Sequence, residues 1–173
     1  MPGMSDPNFS EAVTYLCRHS EEGALGIVVN RRADMNLGDV FEQLGFSCQD
    51  TEVLDQSVLS GGPVQPDRGF VMHQSDVAYD STVDPEATVK VTVSQDILQG
   101  MAAGNGPSPA AVALGYAGWD AGQLETELAA NAWLSAPADP SIIFATPVAD
   151  RWRAAAALLG VDIRNVTSYS GNA

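Results

Sequence analysis

Lysine is almost absent from this chain. Lys90 stands alone, and with the arginines it makes 8 cationic side chains against 22 acidic ones, a formal net charge of −14. A protein that grips nucleic acid displaces phosphate counterions with its own Lys and Arg, and that exchange supplies most non-specific affinity. With so few cations, repulsion across the whole molecule opposes docking on DNA, RNA or an anionic leaflet. Arg31-Arg32 is a local basic pair, and a small one. Direct nucleic-acid binding is therefore not expected, nor is a membrane partner. A protein or a small molecule is the expected partner.

Long apolar runs are missing as well. No stretch approaches the roughly 18 consecutive apolar residues a membrane helix needs. The start shows no basic region followed by an apolar run, so no secretory signal is read and a cytoplasmic protein is expected. Cysteine and histidine are equally sparse: Cys17, Cys48, His19 and His73 are all there are. Two thiols in a cytosolic setting are expected to be free. There is no Cys-x-x-Cys pair and no His-Glu-x-x-His helix, and no loop alternates Asp and Asn as a calcium site does. No metal and no cofactor are expected. A Gly-x-Ser-x-Gly elbow is absent, and Gly104–Pro109 lacks the Lys-Ser/Thr that would make it a phosphate loop.

What is present fits one compact domain. The chain has 173 residues, 45% hydrophobic and 17% charged. A domain of that length buries roughly 70% of the surface its unfolded chain exposes, enough to hold a fold without staples. Residues 12–19 alternate as a strand, and Ala24–Asn30 reads as its returning partner. Asn36 or Asp39 opens a short helix that Gly45 ends. Strands follow at 57–60, 69–73 and 88–93, with Gly61-Gly62-Pro63 as a sharp corner. Ser94 is expected to cap a helix reaching Ala103. Ala110–Tyr116 is an uninterrupted apolar run, read as a central strand buried on both faces. Asp120 is expected to cap a helix over 121–132. Short strands are expected near Trp133–Ala136 and at Ser141–Ala145, before a last helix from Pro147 to Gly160. The tail from Val161 carries little pattern. Hairpins first, then mixed elements without strict strand–helix alternation, indicate an α+β fold. We expect a single domain: a mostly antiparallel, bent or partly barrel-like sheet surrounded by helices.

Three sets of residues are candidates for function. Cys17 and His19 sit two apart on one strand face, where an imidazolium could lower a thiol pKa and make a reactive or redox-sensitive sulfur. The alternative is a small hydrophobe on an inner strand face. Gly61 and Gly62 suit positive φ or a close backbone approach, and Arg68 and His73 follow on the next strand. Gln123, Glu127 and Asn131 recur at i, i+4 and i+8 and would form one polar stripe between Trp119 and Trp133. Such a stripe could line a pocket or a partner surface, or be a solvated helix face. No activated nucleophile accompanies these residues, so an enzyme is the weaker reading.

Taken together, Asp6-Pro7-Asn8-Phe9, Leu16-Cys17-Arg18-His19, Glu22–Asn30, Gly61–Gln65, Arg68–Val71 with His73, Ser94–Leu98 and the long stretch Gly115–Leu134 resemble the YqgE/AlgH family of bacterial proteins. The resemblance covers nearly the whole chain in the family's order. It implies a mixed α/β domain with a bent, partly closed sheet, and it brings no agreed catalytic residues. Asn30 joins the candidate binding residues as the last residue of the Glu22–Asn30 match. One family branch is named for the regulation of alginate synthesis and described as transcriptional. Family members usually carry about a dozen further residues ahead of this start, including a first strand, so that strand is expected to be missing here. This sequence shows no helix-turn-helix signature. Regulation, where it occurs, is expected to run through a regulatory or ligand-binding surface made of Asn30, Gly61, Gly62, Arg68, His73, Trp119, Gln123, Glu127 and Asn131.

Overall fold

The computed structural model describes residues 6–160; the expectation for the tail from Val161 lies outside them. Seven strands and six α-helices follow in the order β1 (Thr14–Ser20), β2 (Gly23–Val28), β3 (Arg32–Asn36), α1 (Leu37–Leu44), α2 (Thr51–Leu54), β4 (Ser57–Ser60), β5 (Val64–His73), β6 (Lys90–Thr92), α3 (Gln95–Ala102), β7 (Ala110–Asp120), α4 (Gln123–Ala129), α5 (Pro140–Phe144) and α6 (Arg151–Leu158). A 3-10 turn, Val148–Asp150, leads into α6.

β7 organises the sheet. Its first half pairs antiparallel with β5 and parallel with β4, and its second half pairs antiparallel with β2, which carries β1. β3 pairs with β4 and β6 with β5, both antiparallel. The strand turns between its two sets of partners at Gly115, whose φ is 78°. That bend folds the β1–β2 hairpin over the rest of the sheet without closing a barrel. The expected α+β domain with a bent, mostly antiparallel sheet is what the chain forms.

Alternation along the strands buries both faces. Phe70, Met72, Leu59 and Ala113 face one apolar cluster with Ile27, Val29 and Ile143. Their neighbours Val71, Val58 and Val112 face the other, against Leu37, Val40 and Phe41 of α1 and Ile97, Leu98 and Met101 of α3. The apolar run read from Ala110–Tyr116 is this doubly covered strand.

Local chemistry sets the ends of the elements. Asn36 and Asp39 cap α1 reciprocally: Asp39 N donates to Asn36 Oδ1 at 3.0 Å and Asn36 N to Asp39 Oδ2 at 2.9 Å. Gly45 closes the helix in the left-handed region, with φ 73°. Ser94 occupies the cap position of α3 but does not cap it; its Oγ instead accepts from Ser81 N at 3.1 Å and donates to Asp96 Oδ1 at 2.5 Å.

Several expectations need correction. Residues 133–136 form no strand, and Ser141–Ala145 is not a strand but most of α5. The two isoleucines suggested a strand, but Asp139 decides otherwise: its carboxylate accepts from Ser141 N, and Pro140 at the first helical position has its φ preset. β3 and α2 were not foreseen. Asp120 does not cap α4. Gly122, at φ 75°, stands at the cap, and Gln123 Oε1 accepts from Asp120 N at 3.0 Å.

Candidate functional site

The nine candidate binding residues do not converge. They fall into four places along and beside β7. His73 pairs with Ala110 at one end of β7, nine residues from Trp119 and across the bend at Gly115.

His73 is fully buried. Its Nε2 lies 2.8 Å from Thr92 Oγ1, and its Nδ1 accepts from Ser75 N at 3.2 Å. Burial lowers its pKa, and the nearby Lys90 ammonium lowers it further. Both ring nitrogens are engaged by the fold itself.

Gly61 and Gly62 sit where β4 runs out across the bend of β7. A Cβ on Gly62 would lie 2.2 Å from the Tyr116 carbonyl carbon, and one on Gly61 would lie 2.3 Å from Gly115 O. The close approach that these glycines allow is to β7. Arg68 is exposed nearby, with Nη1 donating to Gln65 Oε1 at 3.2 Å and the guanidinium 5.7 Å from the Phe70 ring centroid. Asn30 locks the start of β1: its Oδ1 accepts from Val13 N at 2.8 Å and its Nδ2 donates to Glu11 O at 2.9 Å.

At the other end of β7 the residues do gather. Glu127 Oε2 accepts from Trp119 Nε1 at 3.0 Å and from Trp133 Nε1 at 2.7 Å, while its Oε1 accepts from Gln123 Nε2 at 3.0 Å. The indoles of Trp119 and Trp133 meet edge-on at 5.7 Å, and Phe9 packs against both. Asn131 leaves the expected stripe because α4 ends two residues earlier. It takes a left-handed φ of 55°, and Ala132 N closes the end on Glu127 O at 2.8 Å. Glu125, on another face, receives His19 Nε2 at 2.5 Å, and that hydrogen bond holds its carboxyl below the usual carboxylate range.

Cys17 falls at a bulge in the β1–β2 register, between Leu16 and Arg18. Its side chain packs against the core cluster, and burial pushes the thiol up to about 12. The partner of His19 is Glu125, and no thiolate-stabilising cation faces Cys17 among the described residues.

The Glu127 corner forms one side of a half-open cleft of about 200 Å³. The cleft is lined by Val13 just before β1 and Tyr15 of β1, by Trp133, and by Ile142 of α5 and Trp152 of α6. The lining is mainly apolar. Thr14 also borders the cleft, and its Oγ1 is a buried side-chain oxygen with no hydrogen-bond partner among the described residues. α6 is held down by Arg151, whose Nη1 donates to Val29 O at 2.6 Å and whose Nε donates to Thr146 O at 2.9 Å. Sequence reasoning missed Trp152 and Ile142. The first stands in an alanine-rich helix with no evident periodicity, and the second was assigned to a strand. The Asp139-Pro140-Ser141 start signal could have placed Ile142 on a helix. Among the described residues, no group of three or more His, Cys, Asp or Glu could hold a metal ion. No helix among them is long and apolar enough to cross a membrane.

Fold and cleft together define an α+β domain with a bent seven-stranded sheet and an aromatic-walled apolar hollow at one end. The chain matches the AlgH-like family over residues 1–164 and belongs to that family. It is 51% identical to a UPF0301 protein of Xanthomonas euvesicatoria pv. vesicatoria, over the whole of this chain and 92% of the relative. A relative from Xanthomonas campestris pv. campestris is 50% identical with the same coverage. The solution structure of the AlgH protein from Pseudomonas aeruginosa superposes with a TM-score of 0.82 at 48% identity, covering all of this chain and 92% of that one. A Corynebacterium diphtheriae crystal structure shares the fold at a TM-score of 0.68 and 21% identity, covering 99% of this chain and 87% of that one.

Proposed function

We propose that the protein is a non-catalytic regulatory module that binds a small, largely apolar ligand group in the cleft between Trp133 and Trp152. One observation carries the reading: a buried-edge carboxylate, Glu127, spends three hydrogen bonds on fixing two indoles, and one of those indoles walls an open apolar hollow. Fixing a wall in advance removes the ordering cost from the binding step. The same carboxylate is thereby occupied, which leaves the corner suited to shape recognition rather than proton transfer. A thiol at about 12 and a buried histidine weigh against chemistry at Cys17 or His73. A net charge of −14 weighs against direct DNA contact, so control of transcription would pass through a ligand or protein partner.

Neutral probes test the cleft without involving charge. Indole or n-octanol, titrated into labelled protein, should shift the Trp133 and Trp152 indole N–H signals saturably, and Trp152→Ala should weaken binding about tenfold. Unmoved indole signals, or equal affinity in the variant, would remove the proposal. Rapid alkylation of Cys17 at neutral pH would instead revive the reactive-thiol reading, because a thiol at about 12 is almost wholly protonated there.

A further inference from the structure

Half of the chain's scarce positive charge gathers in one place. Arg31 and Arg32, at the end of the β2 hairpin, meet Arg151 and Arg153 of α6, so four of 8 cationic side chains share one face of a molecule carrying −14. With 22 acidic side chains available, dispersal among carboxylates would be the lower-energy arrangement. Instead Arg151 is 8% exposed, and its guanidinium donates to two backbone carbonyls. Among the described residues no carboxylate lies within the ion-pair distance of it. Burial and the neighbouring Arg32 both lower its pKa, the signature of a cation short of countercharge.

A hollow opens beside this cluster. It is lined by Ser10, Glu11, Asn30, Arg31, Trp152 and Arg153. Arg31 is pre-set, donating through Nη1 to Asn8 O and through Nη2 to Ser10 O at 2.8 Å. Arg153 reaches Asp150 only loosely, at 3.6 Å, with 77% of its side chain exposed. Even with Glu11 and Asp150 counted, two positive charges remain over the four arginines. Planar guanidinium groups flanking a hollow match the paired oxygens of phosphate or carboxylate.

We infer that the hollow between Arg31 and Arg153 binds a small oxyanion, the phosphate or carboxylate group of a metabolite. Trp152 lines both this hollow and the apolar cleft, but the anion site stands on its own residues and does not depend on the apolar reading.

Inorganic phosphate is the probe, added to the full chain at constant ionic strength and followed by amide and arginine Nε–H signals. The expected result is a saturable shift at Ser10, Asn30 and Arg153, with a dissociation constant on the order of 1 mM. Arg153→Gln, an exposed change that disturbs no buried contact, should weaken it about tenfold, whereas Arg68→Gln, at a residue that does not line the hollow, should leave it unchanged. Saturable binding of succinate at the same signals supports the same site with carboxylate as its ligand. Shifts that grow linearly with both anions, or an Arg153→Gln protein that binds as the parent does, would overturn the assignment. Neutral octanol binding without anion binding would overturn this inference and leave the apolar cleft standing.

Discussion

The two ends of β7 use buried polar groups in opposite ways. At the Ala110 end, His73 is enclosed by Thr92, Ser75, Lys90 and Tyr79, and its two ring nitrogens are paired within the fold. At the Asp120 end, Glu127 is equally committed, yet what it holds is a pair of indoles, one of which faces open space. A buried, perturbed titratable group is commonly taken as a mark of function. Here the strongly buried histidine closes a core, while the half-buried carboxylate supports a wall with an unfilled hollow beyond it. What lies past the hydrogen bond separates the two ends more clearly than burial does.

The hinge joining the ends offers the most severe way to break the comparison. Gly62→Ala places a Cβ 2.2–2.3 Å from the Tyr116 carbonyl at a φ of 150°, and Gly115→Ala places one 2.4 Å from Gly62 O at a φ of 78°. Overpacking and backbone strain together should cost about 3–5 kcal/mol in either variant. Urea unfolding would measure it, and losses under about 1 kcal/mol would show that the two backbones can part without consequence. Glu127→Ala comes next. It strands two indole N–H groups and one amide, and should cost about 2–3 kcal/mol. Because Trp133 loses its anchor, tryptophan emission should shift red and ligand affinity should fall by more than stability alone explains. An unchanged spectrum would mean the indoles are held by packing with Phe9 alone.

How much of this was legible in advance follows from the range of the forces involved. α1 was readable because Asn36, Asp39 and Gly45 act within the helix they bound. The double burial of Ala110–Tyr116 was readable because it needs no partner identity, only an apolar run. The corner was half readable: Trp119, Gln123, Glu127 and Asn131 were named as a polar stripe that could line a pocket or a partner surface or be a solvated helix face, but the hydrogen bonds of Glu127 to the two indoles were not foreseen. The structure turns only Glu127 toward the indoles and leaves Gln123 and Asn131 exposed, and Glu127 meets Trp133 because α4 ends early in the left-handed turn at Asn131. Gly61 and Gly62 were seen to need close backbone approach, yet no local signal identifies the approaching strand as β7, some fifty residues away. The cleft itself joins β1 to α5 and α6, more than a hundred residues apart, and the Ile142-Ile143 pair reads equally well as a strand. Arg31-Arg32 was visible as a basic pair, but its meeting with Arg151 and Arg153 depends on tertiary packing.

The histidine end makes a smaller, pH-dependent prediction. Burial and Lys90 hold His73 neutral in the fold, so its folded pKa is below the unfolded value of about 6.5. Below that pH the unfolded chain binds a proton that the folded one excludes, and stability falls as pH drops from about 6.5 toward the folded pKa. Above it, the group contributes no pH dependence. The slope cannot exceed about 1.4 kcal/mol per pH unit for one proton. Denaturant midpoints between pH 7 and 5 should therefore fall in the parent and fall less in His73→Asn. Asp76 and Asp96, whose carboxyls are held low by Lys90 and by Ser94 with nearby backbone amides respectively, act further down the pH scale. Parallel slopes in the two proteins would place the titration elsewhere and deny this end its closed character.

Gln123 sharpens the other end with the smallest effect. Its side chain links the last strand residue to the corner, accepting from Asp120 N and donating to Glu127 Oε1, both at 3.0 Å and both on an exposed surface. Water can replace each bond, so Gln123→Ala should cost only about 0.5–1 kcal/mol. If Glu127 is fixed chiefly by the two indoles, the cleft should keep its shape and octanol affinity should stay within about twofold. A larger loss of affinity at that small cost in stability would mean the amide sets the angle of the carboxylate, and through it the tilt of Trp133. The corner would then be a chain of three positioning groups, with recognition beginning one residue further from the ligand than Glu127.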